Sequence, residues 1–180
     1  DVFLAADGER PRLLEKNGHA VPATRFTYAR GKIVLWSADP QRIDADGKII
    51  LQRRNFKHLA LANPKTAPYG KAAYTTLKNL NLWQSLSPAL VQGENIGQTF
   101  QFVATGNAEL GFVALSQVMD PRLKIKGSRW IVPEHLYEAI DQDAVLLVRG
   151  QSQPAARALL QFLKSDPARQ LIQSYGYGLK

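Results

Sequence analysis

Apolar positions arrive in short unbroken runs separated by polar loops. Asp1-Val2-Phe3-Leu4-Ala5-Ala6 opens with such a run and reads as a buried strand, ended by Asp7-Gly8. Residues 9–17 place Leu13 and Leu14 on one helical face, with Gly18 as the cap. A polar stretch leads to residues 28–36, where Ile33-Val34-Leu35-Trp36 marks a β-rich run. Ser37-Ala38-Asp39-Pro40 and Asp46-Gly47 read as turns.

From Phe56 the pattern alternates between strand and helix. Residues 58–62 form a short buried strand and residues 63–68 a loop. Residues 69–79 follow as a helix whose stripe is Ala72, Ala73, Leu77 and Leu80. A short helical piece at 82–86 and a brief strand at Leu90-Val91 come next. A helix over 96–104 is opened by Glu94-Asn95 and stopped by Gly106. Strands are expected at 110–115, 130–132 and 144–148. Two terminal helices, 153–163 and 166–175, carry Pro154 and Pro167 in their first turns, where a missing N–H costs little. Strand–loop–helix units predict an α/β chain with a mostly parallel sheet flanked by helices. Ligands of such sheets bind at the carboxyl ends of strands, beside helix N-termini. The loops at 63–70 and 93–97 meet that description.

Composition narrows the chemistry. The chain has 180 residues, 45% hydrophobic and 21% charged, enough for one large domain or two small lobes. No apolar run approaches the ~20 residues of a membrane span. With no cysteine there is no disulfide scaffold, thiolate zinc site or cysteine nucleophile. The formal net charge is +8. The basic residues nonetheless scatter, only Arg53-Arg54 and the Lys124, Lys126 pair lying close together, so the charge reads as a soluble surface and not a nucleic-acid stripe. His19, His58 and His135 lack metal-site spacing. Asp141 and Asp143 lie two apart and face one side of a strand. General acid–base work by that pair is one reading, and a solvated hinge face is the favoured one. Neither Gly-x-Ser-x-Gly nor a Walker sequence is present, so the expected activity is binding, not catalysis. A chain opening inside a strand, with neither initiator Met nor signal peptide, reads as one whose N-terminal piece has been removed or lies elsewhere.

Several segments, in this order and spacing, resemble the molybdate-binding periplasmic proteins of the type II binding-protein fold. They are residues 1–7, Tyr28-Ala29-Arg30-Gly31-Lys32-Ile33-Val34-Leu35-Trp36, and Asn63-Pro64-Lys65-Thr66-Ala67-Pro68-Tyr69-Gly70. Glu94-Asn95-Ile96-Gly97-Gln98, Glu109-Leu110-Gly111-Phe112-Val113-Ala114-Leu115 and Ser174-Tyr175-Gly176-Tyr177 complete the set.

The resemblance implies a two-lobe α/β protein with mixed, mostly parallel sheets flanked by helices, the first part of lobe one being absent. Lobe one would comprise 1–29 and 144–180. Lobe two would be 30–143, including crossover strands near 28–32 and 138–143. It further implies a tetrahedral oxyanion, molybdate or tungstate, held between lobes that close by hinge motion. The donors would be backbone N–H groups at helix N-termini and a few hydroxyls. Carried over by position, Tyr69 offers its hydroxyl or amide and Ile96 its backbone N–H, with Gly70 and Asn95 shaping the loops. The position in the strand of Gly111-Phe112-Val113 that supplies a tyrosine in another branch is Ala114 here. The family's first two anion loops fall ahead of Asp1, in a missing unit of roughly 30 residues or more. No cofactor and no cation-liganding residue are implied. The implied partner is an ABC transporter permease, without nucleic acid or membrane insertion, for a periplasmic monomer. Two other readings share the fold. One is the effector-sensing domain of a transcription regulator. The other is a binding protein for sulfate, phosphate or an organic anion.

Overall fold

Short apolar runs become strands wherever a neighbouring strand and a helix can cover them. The structure, a computed structural model, describes residues 1–44, 46–120, 122 and 125–180. Lys124 of the expected lysine pair lies outside the described residues. In chain order the elements are β1 (Val2–Ala5), α1 (Glu9–Lys16), β2 (Phe26–Gly31), β3 (Ile33–Ser37), α2 (Gly47–Arg53), β4 (Leu59–Ala62), α3 (Pro68–Asn79) and α4 (Trp83–Leu86). They continue as β5 (Leu90–Gly93), α5 (Ile96–Ala104), β6 (Leu110–Ala114), α6 (Leu115–Val118), β7 (Ser128–Ile131), β8 (Ile140–Leu146), α7 (Pro154–Leu163) and α8 (Asp166–Ser174).

The chain divides into two units, one of residues 1–31 with 140–180, the other of 32–139. The boundaries thus fall at 31/32 and 139/140 instead of 29/30 and 143/144. The cause is pairing: β2 and β8 run antiparallel from Phe26 opposite Ala144 to Gly31 opposite Ile140, which keeps the crossover residues in the first unit's sheet. The expected single run over 28–36 breaks at Lys32, and its two halves join different sheets.

The first unit holds a sheet of order β1-β8-β2, antiparallel throughout. Ala144 and Leu146 of β8 form a core with Ala156 and Leu160 of α7, and Val2, Phe26 and Leu163 pack around it. Asp143 departs from the expected solvated hinge face. It is 1% exposed, accepting hydrogen bonds from Arg25 Nη1 at 2.9 Å and Thr27 Oγ1 at 2.7 Å. A carboxylate taken out of water needs such partners, and removing the cation from a buried pair costs about 3–5 kcal/mol. Asp141 is likewise paired, accepting from Arg30 Nε at 3.0 Å. Both acids are therefore structural.

The second unit holds a mixed sheet of order β5-β4-β6-β3-β7. Parallel pairing is confined to β5-β4-β6, where the strands are joined through helices, and β3 pairs antiparallel with both β6 and β7. Every residue of β3, β4 and β6 is buried, as their unbroken apolar runs require in a sheet covered on both faces. Trp36 stacks on Phe100 of α5, ring centroids 5.0 Å apart. The expected Asp46-Gly47 turn is instead the start of α2: Asp46 is its N-cap, its carboxylate accepting the N–H of Lys48 at 2.9 Å. Seven residues with Ile49-Ile50-Leu51 are too short a stretch to display a helical period.

Glu109 aligns the starts of β4 and β6. Its two carboxylate oxygens accept the backbone N–H groups of Lys57 and His58, at 3.1 and 2.9 Å. Desolvation pushes its pKa up, but the N–H bonds from His58, Lys57 and its own amide, with the His58 charge, together hold the carboxyl below the ordinary glutamate value of 4.5. A lowered folded-state pKa means the stabilisation is present above the ordinary value and is lost as pH falls through the folded one. Glu109→Gln is therefore expected to lower the urea midpoint at pH 7, with the gap from the wild type shrinking at acid pH. Paired denaturation curves across that range check it.

Candidate functional site

β4 and β5 are parallel neighbours that end together, with Ala62 opposite Gly93. The N–H of Asn63 donates to Gly93 O at 2.8 Å and ties the two departing loops at their roots. Asn63 then folds its own loop. Its side-chain Oδ1 accepts the N–H of Lys65 at 3.0 Å, and its carbonyl accepts that of Ala67 at 2.9 Å. Pro68 opens α3, where its fixed φ is preorganised and no N–H is needed. The N–H of Lys71 donates to Ala67 O, so helical bonding begins there and the amides of the first turn point out of the helix end.

Gly70 sits in that first turn, pressed against the end of β4. A Cβ on it would fall 2.3 Å from Ala62 O and 2.7 Å from Asn63 O. Only glycine lets the helix start come this close to the strand.

α5 follows β5 in the same manner. Asn95 is its N-cap, with Oδ1 accepting the N–H of Gln98 at 2.9 Å. Gln98 also reaches back, its Oε1 accepting the N–H of Glu94, the residue before the cap, at 2.7 Å. The N–H of Thr99 donates to Asn95 O. The amides of Ile96 and Gly97 are the ones α5 leaves to an outside acceptor. From α6, Gln117 braces this turn: Nε2 donates to Ile96 O at 3.1 Å while Oε1 accepts the N–H of Ala114 at 3.0 Å.

The four residues singled out from sequence thus lie at the carboxyl ends of adjacent parallel strands. Tyr69 and Gly70 are buried in the first turn of α3, Tyr69 being 6% exposed. Asn95 is exposed and Ile96 half-buried at the start of α5. Sequence reasoning missed Gly97, whose amide follows that of Ile96. It also missed Gln117, which lies 21 residues from Ile96 and carries no local signal. Two outward-facing helix N-termini suit an anion, each worth roughly 0.3–1 kcal/mol when exposed and up to ~2 kcal/mol when partly buried. A groove of about 770 Å3 runs from the Asn63 loop along α3, lined by residues including Lys65, Tyr74, Trp83 and Gln92. At its edge Lys71 Nζ pairs with Glu138 at 2.6 Å. Among the described residues no group of three or more His, Cys, Asp or Glu is placed to hold a metal ion. Among the described residues no helix is long and apolar enough to cross a membrane.

Residues 1–178 match the family described as bacterial extracellular solute-binding protein. The chain belongs to that family. It is similar over all 180 residues to the molybdate-binding protein ModA of Azotobacter vinelandii, at 54% identity, covering 71% of that protein. The ModA of Rhodobacter capsulatus is 49% identical over 177 residues, which are 98% of this chain and 68% of that one. Among solved structures, a periplasmic molybdate-binding protein of Azotobacter vinelandii superposes with a TM-score of 0.94 at 39% identity. The match takes in the whole chain and 78% of that structure. The fold is therefore the type II solute-binding fold shared with these neighbours, and the relatives are named as binding proteins.

The two helix starts are expected to fail in different ways. Gly70→Val forces α3 off the end of β4, an overpacking cost of about 1–3 kcal/mol. Asn95→Ala loses a cap worth ~1 kcal/mol and leaves α3 in place. Urea unfolding measures both. A Gly70→Val protein as stable as the wild type would contradict the close approach described.

Proposed function

We propose that this chain binds a tetrahedral oxyanion, molybdate or tungstate, and delivers it to the permease of an ABC importer. The observation that carries the proposal is the placement of two helix N-termini at the ends of the hydrogen-bonded parallel pair β4 and β5. Each leads with backbone N–H groups. Ile96 and Gly97 donate from α5, and Gly70 donates from α3. Tyr69 adds its hydroxyl or amide, and Asn95 holds the α5 turn in shape.

Donors without acceptors select by protonation state. Molybdate and tungstate are fully deprotonated at neutral pH and accept at every oxygen. A phosphate that keeps a proton presents a donor to donors, and one contact becomes a repulsion. The similarity to proteins named for molybdate supports the same choice of ligand. Molybdate and tungstate are nearly equal in size, so the proposal names either as the ligand. The protein acts by capture and release, without a cofactor and without catalysis. It works as a periplasmic monomer that neither enters the membrane nor binds nucleic acid. The scatter of its basic residues supports the last point.

Calorimetric titration of the protein with molybdate, against sulfate and phosphate, tests this. Saturable molybdate binding, far tighter than phosphate binding, is expected. A well-folded protein that ignores molybdate would sink the ligand assignment. Tyr69→Phe is expected to weaken binding where the hydroxyl donates. Unchanged affinity would assign that contact to the backbone alone.

A further inference from the structure

The two loops of the candidate site carry one charge each, of opposite sign. Residues 63–70 contain Lys65, residues 93–98 contain Glu94, and both segments are otherwise neutral. Each charge stands on a pinned backbone. The N–H of Lys65 donates to Asn63 Oδ1 at 3.0 Å, and that of Glu94 to Gln98 Oε1 at 2.7 Å. The bond from Asn63 N–H to Gly93 O joins the two loops at their roots, so both charges leave from one end of the β4 and β5 pair. Both residues are exposed.

Nothing in the fold makes use of either charge through contact. Lys71, near the start of α3, is paired with Glu138 at 2.6 Å, whereas among the described residues neither the Lys65 ammonium nor the Glu94 carboxylate enters an ion pair. Glu94 has one structural benefit, the attraction of an acid to the positive end of α5. An anion seated at that same helix end meets Glu94 as a like charge and Lys65 as an opposite one.

We infer, on the proposed reading of these helix starts as an oxyanion site, that Lys65 and Glu94 are opposed rim charges that set the rate of dianion capture. Lys65 draws the anion in and Glu94 holds it off, and neither touches it. A rim charge acts through its field before contact. It changes association and its salt dependence, and leaves dissociation and discrimination to the groups that bind the ligand. A unit charge on the order of 10 Å from a dianion in water alters encounter about two- to threefold at low ionic strength, and physiological salt screens much of that. Because the two charges differ in sign, removing them one at a time moves the rate in opposite directions. Loss of structure moves it in one direction only.

Stopped-flow association of the protein with molybdate, tungstate and sulfate tests this at about 10 mM and about 500 mM ionic strength, where the Debye length differs several-fold. At low salt Lys65→Gln is expected to slow association about two- to threefold and Glu94→Gln to speed it by a similar factor, with the double variant near the wild-type rate. The factors are the same for every dianion that binds, dissociation rates hold, and the differences close at high salt. Lys65→Arg keeps the wild-type rate. Glu94→Gln also lowers the urea midpoint slightly, so capture quickens while stability falls, which a merely structural role does not produce. Association rates unchanged in both single variants at low salt overturn the inference, and so does slower capture by Glu94→Gln. A folded wild-type protein that binds none of the three anions removes the oxyanion reading and this inference together. Binding with unaltered rates removes this inference alone.

Discussion

The contact on which the site depends is the seating of a helix start on a strand end, at Gly70 against Ala62 O and Asn63 O. A helix dipole acts within its first turn, so an N-terminus binds an anion only where its amides are held still and aimed. Here the aim is set by strand geometry. β4 and β5 end in register, Asn63 ties their exits together, and each helix is launched from a fixed point. The apolar burial beneath supplies the rigidity. Leu59, Ala60, Leu61, Leu110 and Phe112 are almost wholly out of water, and each large side chain contributes roughly 1.5–3 kcal/mol.

Much of this was legible in the sequence, and the reasons are local. Asn95 before Ile96 is a cap signal that needs no tertiary information, and Pro68 at a helix start is another. The unbroken runs of β4 and β6 announce burial on both faces. What stayed hidden depends on distant partners. Nothing local marks Lys32 as the point where one apolar run divides between two sheets, because Gly31 and Ile33 both suit a strand. The burial of Asp143 is set by Arg25 and Thr27, more than a hundred residues away. Gln117 is an ordinary surface glutamine by sequence, yet it clamps the first carbonyl of α5. In α2 the Asp46-Gly47 pair satisfies turn chemistry and capping chemistry equally, and tertiary packing of Leu51 chooses the helix.

On the proposed reading, neutral donors and not cations face the anion. Lys71 stands next to Gly70 in sequence, yet its ammonium is engaged by Glu138. A fixed array of neutral N–H donors discriminates by the acceptor capacity of the anion, whereas a lysine would attract any anion of the same charge. The acidic residues of the sheet that joins β2 to β8 serve a different end, neutralising arginines where the chain crosses between its two units.

The most direct test of backbone capture is amide NMR during a molybdate titration of the protein. The account predicts saturable downfield shifts of the Gly70, Ile96 and Gly97 amide protons, the change produced by a new charge-assisted acceptor. A titration that saturates while these three signals stay in place would contradict it and move the anion away from the ends of β4 and β5.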